Sequence, residues 1–269
     1  MTPYVGQLGN RITTILTCNL YFILTTNLMN WMVKMKIVAL IAAAGKGKRM
    51  NTRISKPFIP ISGKHILAYT IEKFEKCKLI DKIYLIISPE EKEICHKNII
   101  LKYSFSKVQE LVDGGETRQD SVYNGIKALD KDTDIVVIHD GARPLVEETI
   151  IRDSIEKAQK YGAAIAAIPV KDTIKKSDNN FFINKTLNRE KIWRAQTPQT
   201  FKYNIILPAY RQAYEEKYLA TDDAAIVERY GHKVKLIIGS EENIKITTPF
   251  DIIVAENFLK KGFRFKFKL

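Results

Sequence analysis

The chain has 269 residues, of which 45% are hydrophobic and 27% are charged, and its formal charge is +13. These values exclude wholesale disorder and fibrous repeats, and the length is sufficient to bury a substantial core. The positive charge predicts an anionic partner: nucleic acid, a membrane surface or a phosphorylated small molecule. The three cysteines have no CxxC spacing, which argues against a disulfide framework or a structural zinc site and favours a cytoplasmic location.

The first 34 residues differ from the rest of the chain. The stretch between Arg11 and Lys34 has no charged side chain and is long enough to cross a bilayer, but its threonines and asparagines disfavour insertion. We therefore predict that residues 1–34 are a poorly structured extension, and we expect no membrane contact by residues 12–33. A membrane anchor or a targeting segment is the alternative.

From Met35 onward, short apolar segments rich in valine and isoleucine alternate with amphipathic segments. The apolar segments predict buried strands at 36–42, 82–88, 108–112, 134–139, 163–168 and 233–238. The amphipathic segments predict helices at about 65–77, 89–102, 117–129 and 147–161. This alternation predicts an α/β fold with a mostly parallel sheet, helices on both faces, and ligands bound beyond the carboxyl ends of the strands. We assign residues 35–262 to this domain and residues 263–269 to a basic tail.

One long segment, residues 169–199, breaks the alternation. It has no extended helical period, and short alternating pieces flank a polar Ser-Asp-Asn-Asn turn. A surface loop of this length without a function is uncommon, so we predict a protruding β-arm.

A glycine-rich segment, Ala43-Ala44-Gly45-Lys46-Gly47, follows the first predicted strand. Small residues let a backbone approach an anion closely, and a following helix start offers free N–H groups. The Walker pattern is absent, and the dinucleotide pattern lacks both its third glycine and the acidic residue expected about 20 positions later. Residues 46–71 contain no acid, which favours a polyphosphate over NAD; a solvated basic surface is the alternative. The cations in this stretch are Lys46, Lys48, Arg49, Arg53, Lys56 and Lys64.

Further motifs carry candidate binding residues. Asp140 ends a predicted strand and is a candidate ligand for Mg²⁺ or a hydroxyl group, the alternative being a turn cap. The segment Gly114–Ser121 predicts either an anion or base site at a helix start, or an ordinary turn with an N-cap. Lys245 lies in an apolar strand-like segment and is otherwise a strand-edge lysine. Taken alone, Thr221-Asp222-Asp223 indicates a helix N-cap.

These pieces occur in a characteristic order. The segments AAAGKGKRM, GGETRQDS, HDGARP, PVKDT, NREKIWRAQTPQ, TDDAA and NIKIT, together with Lys56, resemble the 2-C-methyl-D-erythritol 4-phosphate cytidylyltransferase family from about Met35 to Leu259. The resemblance implies a Rossmann-like nucleotidyltransferase fold and a homodimer held through the arm. It also implies that CTP and methylerythritol phosphate react, with Mg²⁺, to give 4-diphosphocytidyl-2-C-methyl-D-erythritol and pyrophosphate.

The resemblance assigns roles to individual residues. Those implied to bind CTP are Ala43, Ala44, Gly45, Gly115, Arg118 and Ser121. Those implied to bind the polyol phosphate are Asp140, Arg143, Arg189, Thr221 and Lys245, with Arg189 reaching the site of the neighbouring subunit and Asp140 also serving as the metal ligand. The implied catalytic residues are Arg49, Lys56, Arg189 and Lys245. Ser55-Lys56-Pro57 stands where the family often has Pro-Lys-Gln, so a different local loop geometry is expected.

The residue types agree with the implied reaction. A phosphate monoester is already anionic at pH 7, so the site has to align the reactants and neutralise charge rather than remove a proton. Ribitol 5-phosphate cytidylyltransferase shares most of these motifs and is one alternative. A basic nucleic-acid-binding protein is another, because residues 260–268 alternate cationic and aromatic side chains. We favour a basic tail that makes no contact with nucleic acid.

Overall fold

A seven-stranded sheet forms the centre of the protein. The computed structural model describes residues 34–45 and 55–261. The sheet strands are β1 (Ile37–Ala42), β4 (Lys82–Ile87), β5 (Val108–Asp113), β6 (Ile135–Asp140), β7 (Ala163–Pro169), β10 (Trp193–Lys202) and β11 (Lys235–Ile238). Two small hairpins lie outside this sheet: one pairs β2 (Pro60–Ile61) with β3 (Lys64–His65), and the other pairs β8 (Lys175–Ser177) with β9 (Ile183–Thr186). The sheet order is β11-β7-β10-β6-β1-β4-β5, and every pairing is parallel except those of β10.

Helices cover both faces of this sheet. They are α1 (Ile66–Lys76), α2 (Lys92–Cys95), α3 (Arg118–Ala128), α4 (Glu148–Tyr161), α5 (Tyr203–Glu215), α6 (Asp223–Arg229) and α7 (Pro249–Lys261). On one face, Val38 and Leu40 of β1 pack in a core with side chains of α3, α5 and α6. On the other face lie α1 and α4, where Phe74 of α1 lies 4.9 Å from the ring of His139. Because both faces are covered, β1 and β6 are continuously apolar over most of their length.

The predicted α/β fold is confirmed, with corrections to individual elements. All six predicted sheet strands are present to within two residues of their predicted ends. The predicted helix at 89–102 is a succession of a 3₁₀ turn, the short α2 and a π-helical turn. Strand β10 and helices α5 and α7 were not predicted, and only the N-cap of α6 was predicted. No helix in the described part of the chain is long and apolar enough to span a membrane.

The protruding arm is shorter than the sequence predicts. Its hairpin, β8 and β9, is exposed along its length, and Phe181 at its turn is 91% exposed. Residues 193–199, predicted as arm, instead belong to β10, which pairs antiparallel with both β6 and β7. The boundary at 199 is wrong because Gln196, Thr197 and Gln199 are polar yet buried, so this strand has no apolar signature. The predicted extension up to Val33 and the tail at 263–269 lie outside the described residues.

Candidate active site

A cavity of about 880 Å³ lies beyond the carboxyl ends of β1 and β6. This is the edge at which open α/β sheets bind ligands, and it is the edge that the sequence predicts. Nine of the predicted site residues line it: Ala43, Ala44, Gly45, Lys56, Gly115, Arg118, Ser121, Asp140 and Lys245. Residues that line it without having been predicted as site residues are Ala42, Pro57, Ser88, Pro89, Glu90, Gly114, Glu116, Thr117 and Ala142.

The first wall of the cavity is the backbone that follows β1. The amide of Ala43 donates to the carbonyl of Ile86 at 2.8 Å, which holds the loop start against β4. Gly114 comes so close to the Ala44 methyl group that a Cβ at Gly114 would lie 2.2 Å from it. A side chain at Gly114 would therefore separate two walls of the cavity, which explains the glycine there.

Lys56 begins a 3₁₀ turn, Lys56–Phe58, that lines the same cavity. Pro57 is buried at the start of this turn, where its fixed φ fits and its missing N–H is not needed. The departure from the family pattern after the lysine thus corresponds to a proline-initiated turn. Arg49, predicted in the loop before this turn, lies outside the described residues.

A second wall is the start of α3. Thr117 caps this helix in a capping box with Asp120, whose side chain accepts from the Thr117 amide at 2.9 Å. The Ser121 hydroxyl accepts from the Gly115 amide at 3.0 Å and donates to the Thr117 carbonyl at 2.8 Å. The N-cap interpretation is confirmed, and the segment also lines the cavity. An anion or base site there stays a prediction.

Asp140 lies at the centre of a cluster of positive charge. Its Oδ2 is 3.0 Å from the Lys245 ammonium and 3.1 Å from Nε of Arg143, and its Oδ1 is 3.4 Å from Nε of Arg118. Burial alone would raise the pKa of the Asp140 carboxyl, but the three cations outweigh it and hold that pKa well below its usual range. Asp140 is therefore a fixed negative charge at neutral pH.

Arg118 has a second carboxylate partner, Asp223. Its Nη1 and Nη2 donate to Oδ1 and Oδ2 of Asp223 at 3.0 and 2.8 Å, and the Tyr210 hydroxyl donates to the same Oδ1 at 2.5 Å. The sequence indicates only a helix N-cap here, and Asp222 does cap α6, accepting from Ala225. A sequence signal that could have indicated Asp223 is the pair of adjacent aspartates, because only one of the two carboxylates caps the helix.

The loop that carries Lys245 is anchored by residues that sequence reasoning missed. The Asn243 carbonyl accepts from Nη1 of Arg143 at 2.8 Å, and its side-chain amide donates to the carbonyl of Thr197 at 2.8 Å. Thr197 in turn accepts from the Asp140 amide at 3.1 Å. The predicted site residue Arg143 thus touches both Asp140 and the Lys245 loop, although it does not line the cavity.

Two predicted site residues lie away from the cavity within this chain. Arg189 is exposed in the arm and donates to the carbonyl of Lys171 at 2.6 Å. Thr221 is exposed in the bend before α6 and is not part of the described cavity lining. The roles implied for both residues stay predictions.

Asp140 is the cavity carboxylate for which the sequence predicts a divalent cation. In the described part of the chain there is no cluster of three or more histidine, cysteine or acidic side chains that could hold a metal. Mg²⁺ is commonly bound by one or two carboxylates together with substrate phosphates, so the ionised Asp140 is a donor of the type that Mg²⁺ takes. Its role as a metal ligand stays a prediction.

Comparisons with known proteins identify relatives of this chain. The family model for 2-C-methyl-D-erythritol 4-phosphate cytidylyltransferase matches residues 37–261. The chain is 49% identical over 227 residues to the protein of that name from Caldanaerobacter subterraneus, covering 84% of this chain and 100% of that protein. It is 51% identical over 225 residues to the one from Alkaliphilus oremlandii, covering 84% and 95%.

Solved structures give the same result. The 4-diphosphocytidyl-2C-methyl-D-erythritol synthase of Anaerococcus prevotii superposes with a TM-score of 0.76 at 35% identity, covering 85% of this chain and 97% of that one. The 2-C-methyl-D-erythritol 4-phosphate cytidylyltransferase of Thermus thermophilus superposes with a TM-score of 0.69 at 28% identity, covering 84% and 100%.

Proposed function

Because the chain belongs to the 2-C-methyl-D-erythritol 4-phosphate cytidylyltransferase family, we propose that it transfers CMP from CTP to 2-C-methyl-D-erythritol 4-phosphate and releases pyrophosphate. The observation that best supports this function is the cavity, in which cationic Lys56, Arg118 and Lys245 accompany the ionised Asp140. Its described lining contains no histidine or cysteine that could act as a covalent nucleophile or a general base.

The proposed reaction needs charge stabilisation more than proton transfer. A phosphate oxygen of the acceptor attacks the α-phosphorus of CTP, and a new P–O bond forms there. The bond from the α-phosphorus to the bridging oxygen breaks, and pyrophosphate leaves with the electron pair. No proton has to be removed from the anionic nucleophile, so alignment and preorganised positive charge supply the catalysis.

Individual residues have separate proposed tasks. Lys56 and Arg49 neutralise the triphosphate, while the backbone at Ala43–Gly45 and Gly115 shapes the CTP pocket. Lys245 and Arg143 position the acceptor phosphate. We propose that Asp140 holds Mg²⁺ together with the phosphates of CTP. When bound, the ion supplies additional positive charge against the triphosphate.

We further propose a homodimer in which the arm delivers Arg189 to the partner's cavity. Two observations support it: the β8–β9 hairpin is exposed along its length, and Phe181 and Phe182 at its tip are 91% and 71% exposed. A guanidinium binds a phosphate through two parallel hydrogen bonds, which suits the acceptor phosphate. We also propose a cytoplasmic location, because Cys77 and Cys95 are buried free thiols.

Pyrophosphate release tests the proposed function. The protein is given CTP with either methylerythritol phosphate or ribitol 5-phosphate, and we expect release with methylerythritol phosphate. Preferential release with ribitol phosphate would reassign the acceptor. Binding of single-stranded nucleic acid on a filter, without binding of CTP, would reassign the protein to a different functional class.

The Lys56→Ala variant tests whether the activity depends on this cavity. Losing one preorganised charge-stabilising donor lowers kcat by about 10²–10³-fold. The matched control is Lys97→Ala, an exposed lysine on the π-helical turn that pairs with Glu93, and it should keep wild-type kcat. Normal turnover by a folded Lys56→Ala protein would remove this residue from the catalytic set.

Mixing two inactive variants tests the shared site. Arg189→Ala should raise the KM for methylerythritol phosphate and leave CTP binding unchanged. In a mixed dimer of Arg189→Ala and Lys56→Ala chains, one of the two sites is intact. Random exchange at equal amounts should therefore restore about a quarter of wild-type activity. No recovery in demonstrated heterodimers would mean that Arg189 does not act across the interface.

A further inference from the structure

The guanidinium of Arg118 is committed to two carboxylates. Its Nη1 and Nη2 donate to Asp223, and its Nε donates to Asp140. Each nitrogen of the fork is thus engaged by an acid of this chain. The donors that would read the edge of a nucleotide base are correspondingly reduced, although one side of Arg118 lines the cavity and the side chain is 31% exposed.

The Nη1 and Nη2 atoms of Arg118 are held by a carboxylate in the protein core. Asp223 is fully buried, and its Oδ1 also accepts from the hydroxyl of the fully buried Tyr210. Tyr210 is a residue of α5 and packs in the core cluster on this face of the sheet, with its ring 5.8 Å from that of Tyr123. The Asp223 carboxylate is therefore immobile, and the two parallel bonds to it fix the plane of the Arg118 guanidinium.

The Nε atom of Arg118 lies toward Asp140, at the carboxyl end of β6. Arg118 contacts Oδ1 of Asp140, while Arg143 and Lys245 contact Oδ2. The Asp140 carboxylate is thus held from two sides, and its Oδ1 side is connected through Arg118 to the core.

We propose that Arg118, Asp223 and Tyr210 form a positioning triad that orients Asp140, and through it Arg143 and Lys245, in the cavity, and that Arg118 does not read the cytosine of CTP. This inference rests on the proposed function. It replaces the role in CTP recognition that the family resemblance implies for Arg118. The triad acts through Asp140, so its loss affects turnover and the acceptor rather than the affinity for CTP measured without Mg²⁺.

A purely structural role makes a different prediction. A buried ion pair is weak evidence of stability, because replacing both partners with apolar residues of similar volume is often neutral or stabilising. If the triad only filled the core, Arg118→Met with Asp223→Leu would preserve both the fold and the activity. If it positions Asp140, the same double variant folds and loses turnover.

The chain offers a matched control with the same three kinds of group: a guanidinium, a carboxylate and a phenol. Arg229 and Tyr230 both donate to Glu216, at 3.2 and 3.1 Å, and this second set is exposed. The control double variant is Arg229→Met with Glu216→Leu. It removes an arginine–carboxylate pair from the surface and should leave kcat and both KM values unchanged.

The test measures kcat, the KM for methylerythritol phosphate, the Kd for CTP by calorimetry without added Mg²⁺, and the midpoint of thermal unfolding. For Arg118→Met with Asp223→Leu, we expect a cooperatively folded protein whose midpoint is lowered only by the buried Tyr210 hydroxyl that loses its acceptor. We expect a Kd for CTP within about twofold of wild type. We expect kcat to fall about a hundredfold, which is the effect of misplacing a catalytic group by about 1 Å. Arg118→Lys should not rescue turnover, because an ammonium cannot bridge two carboxylates as a planar fork does.

Two results would overturn the proposal. If the affinity for CTP falls in step with kcat, Arg118 contacts the nucleotide directly; if kcat is unchanged, the triad is structural. Should the double variant fail to fold, Tyr210→Phe tests the same idea from the core, and we expect a lower kcat with unchanged CTP binding. Wild-type turnover is measured in parallel, so an inactive wild-type protein would contradict the proposed function and not the triad.

Discussion

Two arginine–carboxylate–tyrosine sets are built on or next to α5 and α6, one of them completed by Arg118 of α3, and they differ mainly in burial. In the buried set, Asp223 and Tyr210 are fully buried, and Arg118 is 31% exposed. In the exposed set, Arg229 and Glu216 are 46% and 39% exposed. The buried contacts run from 2.5 to 3.0 Å, whereas the exposed ones run from 3.1 to 3.4 Å.

The comparison shows that burial gives the same chemistry a different role. Water and salt screen an exposed pair, which contributes little to stability. A buried carboxylate without its partner is strongly unfavourable, so the partners are locked together. The exposed set is replaceable, and the buried set transmits the geometry of the core to the active site.

The largest expected effect comes from neutralising one partner of the buried set. Asp223→Asn leaves the Arg118 guanidinium facing a neutral amide, and breaking a buried pair in this way destabilises by about 3–5 kcal/mol. Urea unfolding measures this loss. Asp153→Asn is the matched control, because it neutralises an exposed aspartate on α4. Equal stability of the two variants would erase the distinction between the buried and exposed sets.

A pH titration extends the comparison to His139, a buried neighbour of the triad. The neutral ring is satisfied on both nitrogens, since Nε2 donates to the Arg143 carbonyl at 3.2 Å and Nδ1 accepts from Thr197 at 3.0 Å. Burial lowers the pKa of His139 to about 4, despite the adjacent Asp140 charge. The contribution of His139 to stability is therefore fully present above about pH 6.5 and is lost as the pH falls toward 4.

The expected loss across that window is on the order of 3 kcal/mol. His139→Gln should flatten the dependence of the unfolding free energy on pH between 4 and 6.5. His232→Gln, at an exposed histidine just after α6, should keep the wild-type dependence. Parallel curves for wild type and His139→Gln would show that this ring takes up its proton over the same pH range in the folded protein as in the unfolded chain.

A smaller effect separates the two tyrosines. Tyr210→Phe removes a hydrogen bond to a buried charged group, which is worth about 1.5–3 kcal/mol. Tyr230→Phe removes the corresponding bond to an exposed carboxylate and should leave the unfolding free energy unchanged. Chemical denaturation of the two variants side by side measures the difference, and equal losses would mean that burial does not set the strength of these bonds.

The smallest expected effect is at the exposed set itself. Glu216→Gln should leave the thermal midpoint at its wild-type value at physiological salt, because the pair is screened. Repeating the measurement at low and at 1 M salt checks this cause. A midpoint that falls equally at both salt concentrations would show that Glu216 acts through something other than its charge.

The sequence predicted the elements that have a clear pattern of apolar residues, namely the buried parallel strands and the loops that follow them. Buried parallel strands are continuously apolar, and the loops after them carry glycines and charges, so the strands and much of the cavity lining were found. Strand β10 was missed because its buried Gln196, Thr197 and Gln199 are polar. Asp223 was missed because two adjacent aspartates look alike in sequence, and only burial separates the capping one from the one that holds Arg118.

The direction of β10 determines where the arm leaves the molecule. Strand β7 ends at Pro169, which pairs with Trp193 at the beginning of β10. Because β10 runs against its neighbours, its first residues lie at the edge where the parallel strands finish and where Asp140 lies. The hairpin therefore emerges on the reactive side of the sheet. A parallel strand at the same position in the sheet would begin at the opposite edge. The arm would then have to cross the whole width of the domain to reach the cavity.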